Sequence, residues 1–455
     1  MQKAAIRSKT TLRVMAKGYH SRAHPQTAGM SQAHELMRRN GQGPSTDGRY
    51  TGKRSPAMNV SAPALPVART LSRLRTGATT LALLSLGHFF VDLYSGSLGV
   101  LQPLIVERLG LTLAQAGLLG GLLVFSSSVT QPLYGFLSDR YRTALFSALG
   151  PAVAGLFILS GALAPSYALA LALMALGGAG VSAFHPQASS WAAAGMASHR
   201  ARWMAVFISA GTLGIAAAPA FFKEFLSWFG PSRLLWAALP GVLISAACLA
   251  LVRPPAAGEA RRSGFDWPAL RAVRQPLAIL YFGVFFRSAV QVVFAQFLVL
   301  YLSRERGYSL HQAAYVLTAY LAAGALGGMA GGQLSAWFGP KRVIQHSFLW
   351  SAPLMSVFFL TSSPWGAVFL VAGGLALLFT IPVNVTVAQK LVPSQAGTVS
   401  ALLMGFAWGA AGMIFVPLTG WLADRTSLHA ALASLLVFPV LGYWLSRRLP
   451  EDLAE

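Results

Sequence analysis

Residues 79–104 read TTLALLSLGHFFVDLYSGSLGVLQPL, an apolar run whose one full charge is Asp92. The run is long enough to cross the roughly 30 Å hydrocarbon layer of a bilayer as a helix. A carboxylate at that depth costs roughly 2.5 to 3.5 kcal/mol on insertion scales, so its retention marks a substrate or ion pathway. His88 stands four residues earlier and therefore on the same helical face. Similar windows follow at 114–137, 144–163, 167–192, 203–222, 233–252, 276–302, 312–335, 343–361, 366–389, 396–422 and 428–446. Apart from Arg233 at the very edge of its window, only Arg287, about eleven residues into the seventh window and too central to snorkel easily, adds a second full charge.

Composition points the same way, with 55% hydrophobic and 11% charged residues where a soluble domain carries roughly 25% charged. The expected fold is an all-α membrane protein of twelve transmembrane helices in two six-helix pseudo-repeats. Cys248 is the only cysteine, which excludes an intrachain disulfide and a cysteine metal cluster. The net charge of +22 is not a nucleic-acid signature, because fourteen of the 35 Lys and Arg precede residue 77 and many others fall in alternate loops. With the N-terminus inside, the inner connections hold fourteen basic residues, among them Arg140, Arg142, Arg253, Arg261, Arg262, Lys341 and Arg342, against six outside. That bias places both termini in the cytoplasm of a multi-pass protein of the inner (plasma) membrane.

Four parts are expected. Residues 1–76 are a basic cytoplasmic leader, disordered or resulting from a misassigned start. Residues 77–253 form an N-terminal six-helix bundle, 254–275 a Pro- and Arg-bearing cytoplasmic linker, and 276–455 a C-terminal bundle with a short tail. The halves correspond at a nearly constant offset, 195 for Asp92 and Arg287, 197 for Gly135 and Gly332, 196 for Pro186 and Pro382, and 198 for Pro219 and Pro417. Tandem six-helix duplication is the architecture of a large transporter class. The glycines at Gly324-Gly328-Gly332 and Gly405-Gly409 are expected to pack helices closely.

The polar residues inside the windows concentrate in segments one, four, seven and ten: His88 and Asp92, His185 and Gln187, Arg287, Gln291 and Gln296, Asn384 and Gln389. These segments are equivalent by repeat and are expected to surround one central cavity. For Asp92 and Arg287 the competing reading is a carboxylate satisfied by His88 within its own helix and an arginine reaching an interface. His185 serves equally well as a packing histidine, and Gln187, Gln291 and Asn384 as interhelical glue.

The loop after segment two reads Gly135-Phe-Leu-Ser-Asp139-Arg140-Tyr-Arg142, with Ala336 at the second-half equivalent of Asp139. It resembles the Gly-x-x-x-Asp-Arg loop motif of the major facilitator superfamily, whose acid meets a neighbouring helix end and holds one access state closed. Over residues 80–450 the chain looks more narrowly like the fosmidomycin resistance protein branch. The likeness rests on His88-x-x-x-Asp92, Phe184-His185-Pro186, the basic Arg287, Leu391-Val-Pro-Ser-Gln-Ala-Gly397-Thr-Val-Ser400 and Gly420-Trp-Leu-Ala-Asp424. The resemblance implies a proton-driven drug exporter of twelve helices, and importance for His88, Asp92, His185 and Pro186. Relatives are expected to carry an acid after His-Pro; Gln187 replaces it, leaving Asp92 as the only intramembrane carboxylate.

The expected function is that of a proton-coupled efflux antiporter for a small anionic drug or metabolite, with Asp92 and His88 handling the proton. Arg287, His185, Gln187, Gln291 and Asn384 are the candidate substrate residues, and Gly135, Asp139, Arg140, Arg142 and Pro186 the candidate gating residues. An uptake permease for a sugar, nucleoside or carboxylate on the same fold is the alternative. No zinc spacing, nucleophile motif or phosphate loop points to an enzyme or a cofactor. The expected partners are a small molecule, protons and lipid, without nucleic acid, around a monomer.

Overall fold

A computed structural model describes residues 66–141, 143–192, 200–254 and 266–451. Most of the basic leader, Arg142 and the linker arginines Arg261 and Arg262 lie outside the described residues. Among the described residues, twelve helices are long and apolar enough to cross a membrane: α1 (Gly77–Leu109), α2 (Leu113–Ser138), α3 (Leu145–Leu163), α4 (Tyr167–Trp191), α5 (Arg202–Phe229), α6 (Pro231–Leu251), α7 (Arg274–Glu305), α8 (Leu310–Phe338), α9 (Pro340–Leu360), α10 (Gly366–Leu391), α11 (Pro393–Arg425) and α12 (Leu428–Ser446). No strand occurs among the described residues. The helices follow the apolar windows closely, with one difference at the end of α5. Hydropathy drops at Lys223 and Glu224, yet the helix continues to Phe229; the two charges lie 3.7 Å apart, and Glu224 is also 3.2 Å from His311 of α8.

The repeat is written into the helix ends. A capping box of Thr112 with Gln115 starts α2, and one of Ser309 with Gln312 starts α8, 197 residues later. Arg108 donates to the carbonyls of Ala162, Leu163 and Ala164 where α3 stops. Arg306, 198 residues on, donates to those of Phe358 and Thr361 where α9 stops. A guanidinium satisfies the orphan carbonyls of a helix end and complements the negative end of its dipole. Gly135 approaches Pro186, and Gly332 approaches Pro382, so repeat-equivalent residues meet in each half.

Three helices depart from regular geometry in ways that bear on function. Helix α1 is helical to Ser95 and resumes at Leu98, and the Ser95 and Ser97 hydroxyls donate to the carbonyls of Asp92 and Tyr94 beside the break. Helix α10 breaks between Leu377 and Thr380. Helix α11 contains a π-helical turn, Ala401–Phe406, immediately before Trp408; such turns re-aim the side chains that follow them. Prolines inside the spans are tolerated where neighbouring groups take over the freed backbone.

The glycine row on α8 differs from its expected register. Gly324, Gly327 and Gly331 press against Leu378, Leu375 and Phe379 of the α10 region, whereas Gly328 faces open space. With 3.6 residues per turn, a strict spacing of four drifts off the contact face and alternating three and four stays on it. Gly409 packs on Ser128 and Val129 of α2 as expected.

The face where α1 begins and α12 ends is called proximal here, and the opposite face distal. The halves meet distally. Gly117 of α2 lies against the Val416 backbone, Gly420 of α11 against Leu113, and Gly99 of α1 against Ala295 of α7. Asp424, at the distal end of α11, accepts from the Leu113 and Ala114 amides at 2.8 Å each. Glu224 of α5 meets His311 of α8 at 3.2 Å, also at the distal ends of its helices. At the proximal end, the α2 segment Gln131–Tyr141 packs against α4 of its own half.

Candidate functional site

Asp92 lies just before the break in α1, between two imidazoles. His88 Nε2 is 3.4 Å from Asp92 Oδ2, and His185 Nε2 of α4 is 3.4 Å from Asp92 Oδ1. The other ring nitrogen of each histidine meets a backbone carbonyl at 2.8 Å, Phe207 O for His88 and Val181 O for His185. A carbonyl only accepts, so both Nδ1 atoms carry hydrogen and both Nε2 atoms point at the carboxylate. Bare Nε2 lone pairs facing a carboxylate repel, and a positive charge placed there turns the repulsion into attraction. A proton shared between the carboxylate and either Nε2 would turn that contact into a hydrogen bond. Its three ligand-capable atoms lie within 4.8 Å of one another, one donor short of a four-coordinate zinc site.

The ring of His88 stacks on Phe207 with centroids 4.3 Å apart. It occupies space that the missing side chain of Gly211 leaves free. Gly214, one turn on, lets the α5 backbone approach Phe89 of α1. Thus the segment Gly211-x-x-Gly214 exists to bring α5 against the face of α1 that carries the site.

Arg287 is 4% exposed, near the middle of α7. Its Nη1 donates to Gln291 Oε1 at 2.7 Å and its Nη2 to Ser288 Oγ at 3.1 Å, while Nε has no partner. The guanidinium lies over the Trp408 ring at 5.7 Å from the centroid. It makes no ion pair with Asp92. In this state the two intramembrane charges therefore have separate surroundings.

A cavity of about 90 Å³ lies between the halves, lined on one side by Ser95, Gly96 and Ser127 and on the other by Gln291, Gln296 and Trp408. Its wall comes from α1, α2, α5, α7, α8 and α11. It differs from the expected ring of α1, α4, α7 and α10, because with the distal side closed the helices that cross the interface also floor the central space. Gln291 links the cavity to Arg287. Gln187 does not reach it: its Oε1 accepts from Ser147 N and Oγ, and its Nε2 donates to Ser138 Oγ and Thr143 O, tying the proximal ends of α2 and α3 to α4. Asn384 is buried with both amide atoms unpartnered. Gln389 donates to Ser400 at the proximal end. Gly135 and Pro186 touch at the proximal junction of α2 and α4, and Arg140 is exposed there.

The family model described as Major Facilitator Superfamily matches residues 84–414 and again 277–454. The chain belongs to the major facilitator superfamily. Among curated members it resembles the Fosmidomycin resistance protein of Escherichia coli (strain K12), with 27% identity over 398 residues covering 86% of this chain and 97% of that one. It is also 28% identical to the uncharacterised superfamily transporter YfnC of Bacillus subtilis (strain 168), covering 82% of this chain and 93% of that one. In solved structures the fold is shared by a bacterial homologue of the human lysosomal transporter Spinster in an inward-facing, unoccupied conformation. That likeness has a TM-score of 0.70 at 20% identity and covers 82% of this chain and 97% of that one. The nucleoside transporter NupG gives 0.67 at 12% identity, covering 82% and 98%.

Members of the superfamily bind small molecules within the membrane, and the 90 Å³ cavity lies where the two superfamily halves meet. Phe207 and Trp408 were not among the residues expected from the sequence, because an aromatic side chain inside an apolar run carries no signal of its own.

Proposed function

We propose that this chain is a proton-coupled secondary transporter that exports a small anionic compound. Asp92, with His88 and His185, is the proton site, and Arg287 is the anion site. One observation carries the reading: a carboxylate is held between two Nε2 atoms, while a buried guanidinium in the other half has no carboxylate partner. The first arrangement gains from a proton, the second from an anion. Each ligand shifts the access equilibrium only through unequal interaction with the two states. Closing the halves around the centre lowers the local dielectric and raises the cost of leaving either charge uncompensated.

The export direction is supported by orientation and by the resemblance to a resistance protein. With the proximal face cytoplasmic, as the fourteen-to-six basic bias favours, the present state opens inward. Gly135, Asp139, Arg140 and Pro186 then stand at the cytoplasmic gate, and an inside-negative potential aids anion exit by about 2.3 kcal/mol per charge per 100 mV. Expression in a fosmidomycin-sensitive host tests the reading. Resistance, with proton-driven uptake of the compound into inverted vesicles, is expected. Increased sensitivity would instead make the protein an uptake permease.

A further inference from the structure

The two contacts that Asp92 makes are long for hydrogen bonds. Each Nε2 is 3.4 Å from a carboxylate oxygen, His88 from Oδ2 and His185 from Oδ1, whereas a charge-assisted hydrogen bond is about 2.7 to 2.9 Å. The two rings stand at 86° to each other with centroids 5.0 Å apart, so their lone pairs converge on the carboxylate from different directions. Two bonds of about 2.0 to 2.1 Å that meet at a tetrahedral ion hold their donor atoms about 3.3 to 3.4 Å apart. That is the separation found on both sides of Asp92. The three ligand atoms all lie within 4.8 Å of one another, so closing the widest gap around an ion takes at most about 1.5 Å of side-chain movement.

The far side of each ring is prepared in the same sense. Nδ1–H of His88 donates to Phe207 O and that of His185 to Val181 O, at 2.8 Å each. A metal-ligating histidine almost always donates its other ring N–H in this way, which fixes the tautomer and makes the ligating nitrogen more basic. Among the described residues no Lys or Arg lies within ion-pair distance of Asp92, so the carboxylate keeps the charge that draws a cation. The side chains of Asp92 and His185 are 15% and 25% exposed, which leaves an entry path and room for water as a fourth ligand. Imidazole nitrogens also select the ion. Calcium and magnesium take oxygen ligands, whereas zinc, nickel and copper accept imidazole.

We propose that His88, Asp92 and His185 form a binding site for a divalent late transition-metal ion. All three ligands belong to the N half, so the ion does not bridge the halves. It takes the lone pairs that a proton would use, and the two exclude each other. The site itself stands on geometry; its consequence, that a bound ion stops transport, rests on the proton reading of the same cluster.

Calorimetry with zinc chloride on the purified full chain in lipid nanodiscs tests the site. His20, His24, His34 and His199, which lie outside the described residues, are replaced by alanine to remove weak imidazole sites. One zinc ion per chain should bind. His88→Ala, His185→Gln and Asp92→Asn should each weaken it at least about tenfold, and His346→Ala, at an exposed position on α9, should not. One equivalent of copper(II) should give a paramagnetic resonance spectrum with two coordinated imidazoles, a readout that needs no substitution at the site. No zinc binding, unchanged affinity in the three variants, or a copper spectrum without two imidazoles would overturn the proposal. Zinc should also stop pH-driven accumulation of fosmidomycin in inverted vesicles. Binding at the cluster that leaves accumulation intact would overturn the proton reading while the metal site stands.

Discussion

A methyl group at Gly211 would occupy the place of the His88 imidazole, which ties the geometry of the proton cluster to one hydrogen atom on α5. Overpacking of this kind costs about 1 to 3 kcal/mol, and the ring can relieve it only by leaving Phe207 O and Asp92. Gly211→Ala should therefore abolish most proton-driven transport while folded protein persists. Gly328→Ala, with nothing within 4 Å of its new methyl, should leave transport unchanged. Equal behaviour of the two variants in a vesicle assay would show that His88 does not depend on that space. For Arg287, replacement by Gln should weaken an anionic cargo by tenfold or more and a neutral analogue little, since charged hydrogen bonds contribute about 1.5 to 3 kcal/mol. Lys keeps the charge without the planar fork and should retain part of the binding; equal losses for both ligands under normalised binding would contradict the anion role. Asp92, His88 and Arg287 were legible because a charge in an apolar run is expensive. The contact between His185 and Asp92 was not, because it joins α4 to α1 across the bundle.

At the scale of elements, Asp424 is the clearest tie between the halves. Its carboxylate caps the first amides of α2, favourable both as hydrogen bonds and with the positive end of the helix dipole. Gly420 and Gly117 let the α11 and α2 backbones come close enough for it. This contact exists only while the distal side is closed. Asp424→Asn should therefore weaken the distally closed state by about 1 kcal/mol, roughly a fivefold shift in the access ratio. Labelling of a cysteine placed among the central cavity residues, at Ser127 for example on a Cys248→Ala background, by an impermeant reagent from the distal side should rise accordingly. An unchanged rate would mean the cap is incidental. Helix ends were readable where local chemistry sets them, as with Thr112 and Gln115 or Ser309 and Gln312. The α8 glycine register was not, since a period of four and one of 3.6 separate only over several turns and the partner α10 decides which face is covered.

For the whole molecule, twelve spans and a two-fold internal repeat were legible because apolar length and loop charge are global properties. The depth and composition of the cavity were not, because they depend on which side is closed. Orientation is open to a direct check on a Cys248→Ala background. Single cysteines in the 256–262 segment should resist an impermeant thiol reagent applied to intact cells, and one near Arg304 should react; the reverse pattern would invert the topology. Beneath all of this lies the claim that a carboxylate between two imidazoles carries the transported proton. Its most direct test is accumulation of an anionic cargo in proteoliposomes driven only by an imposed pH gradient, comparing wild type with Asp92→Asn at equal folded protein. Wild type should build a gradient and Asp92→Asn should exchange cargo without accumulating it. A variant that still concentrates its cargo against the gradient would show that the proton travels elsewhere.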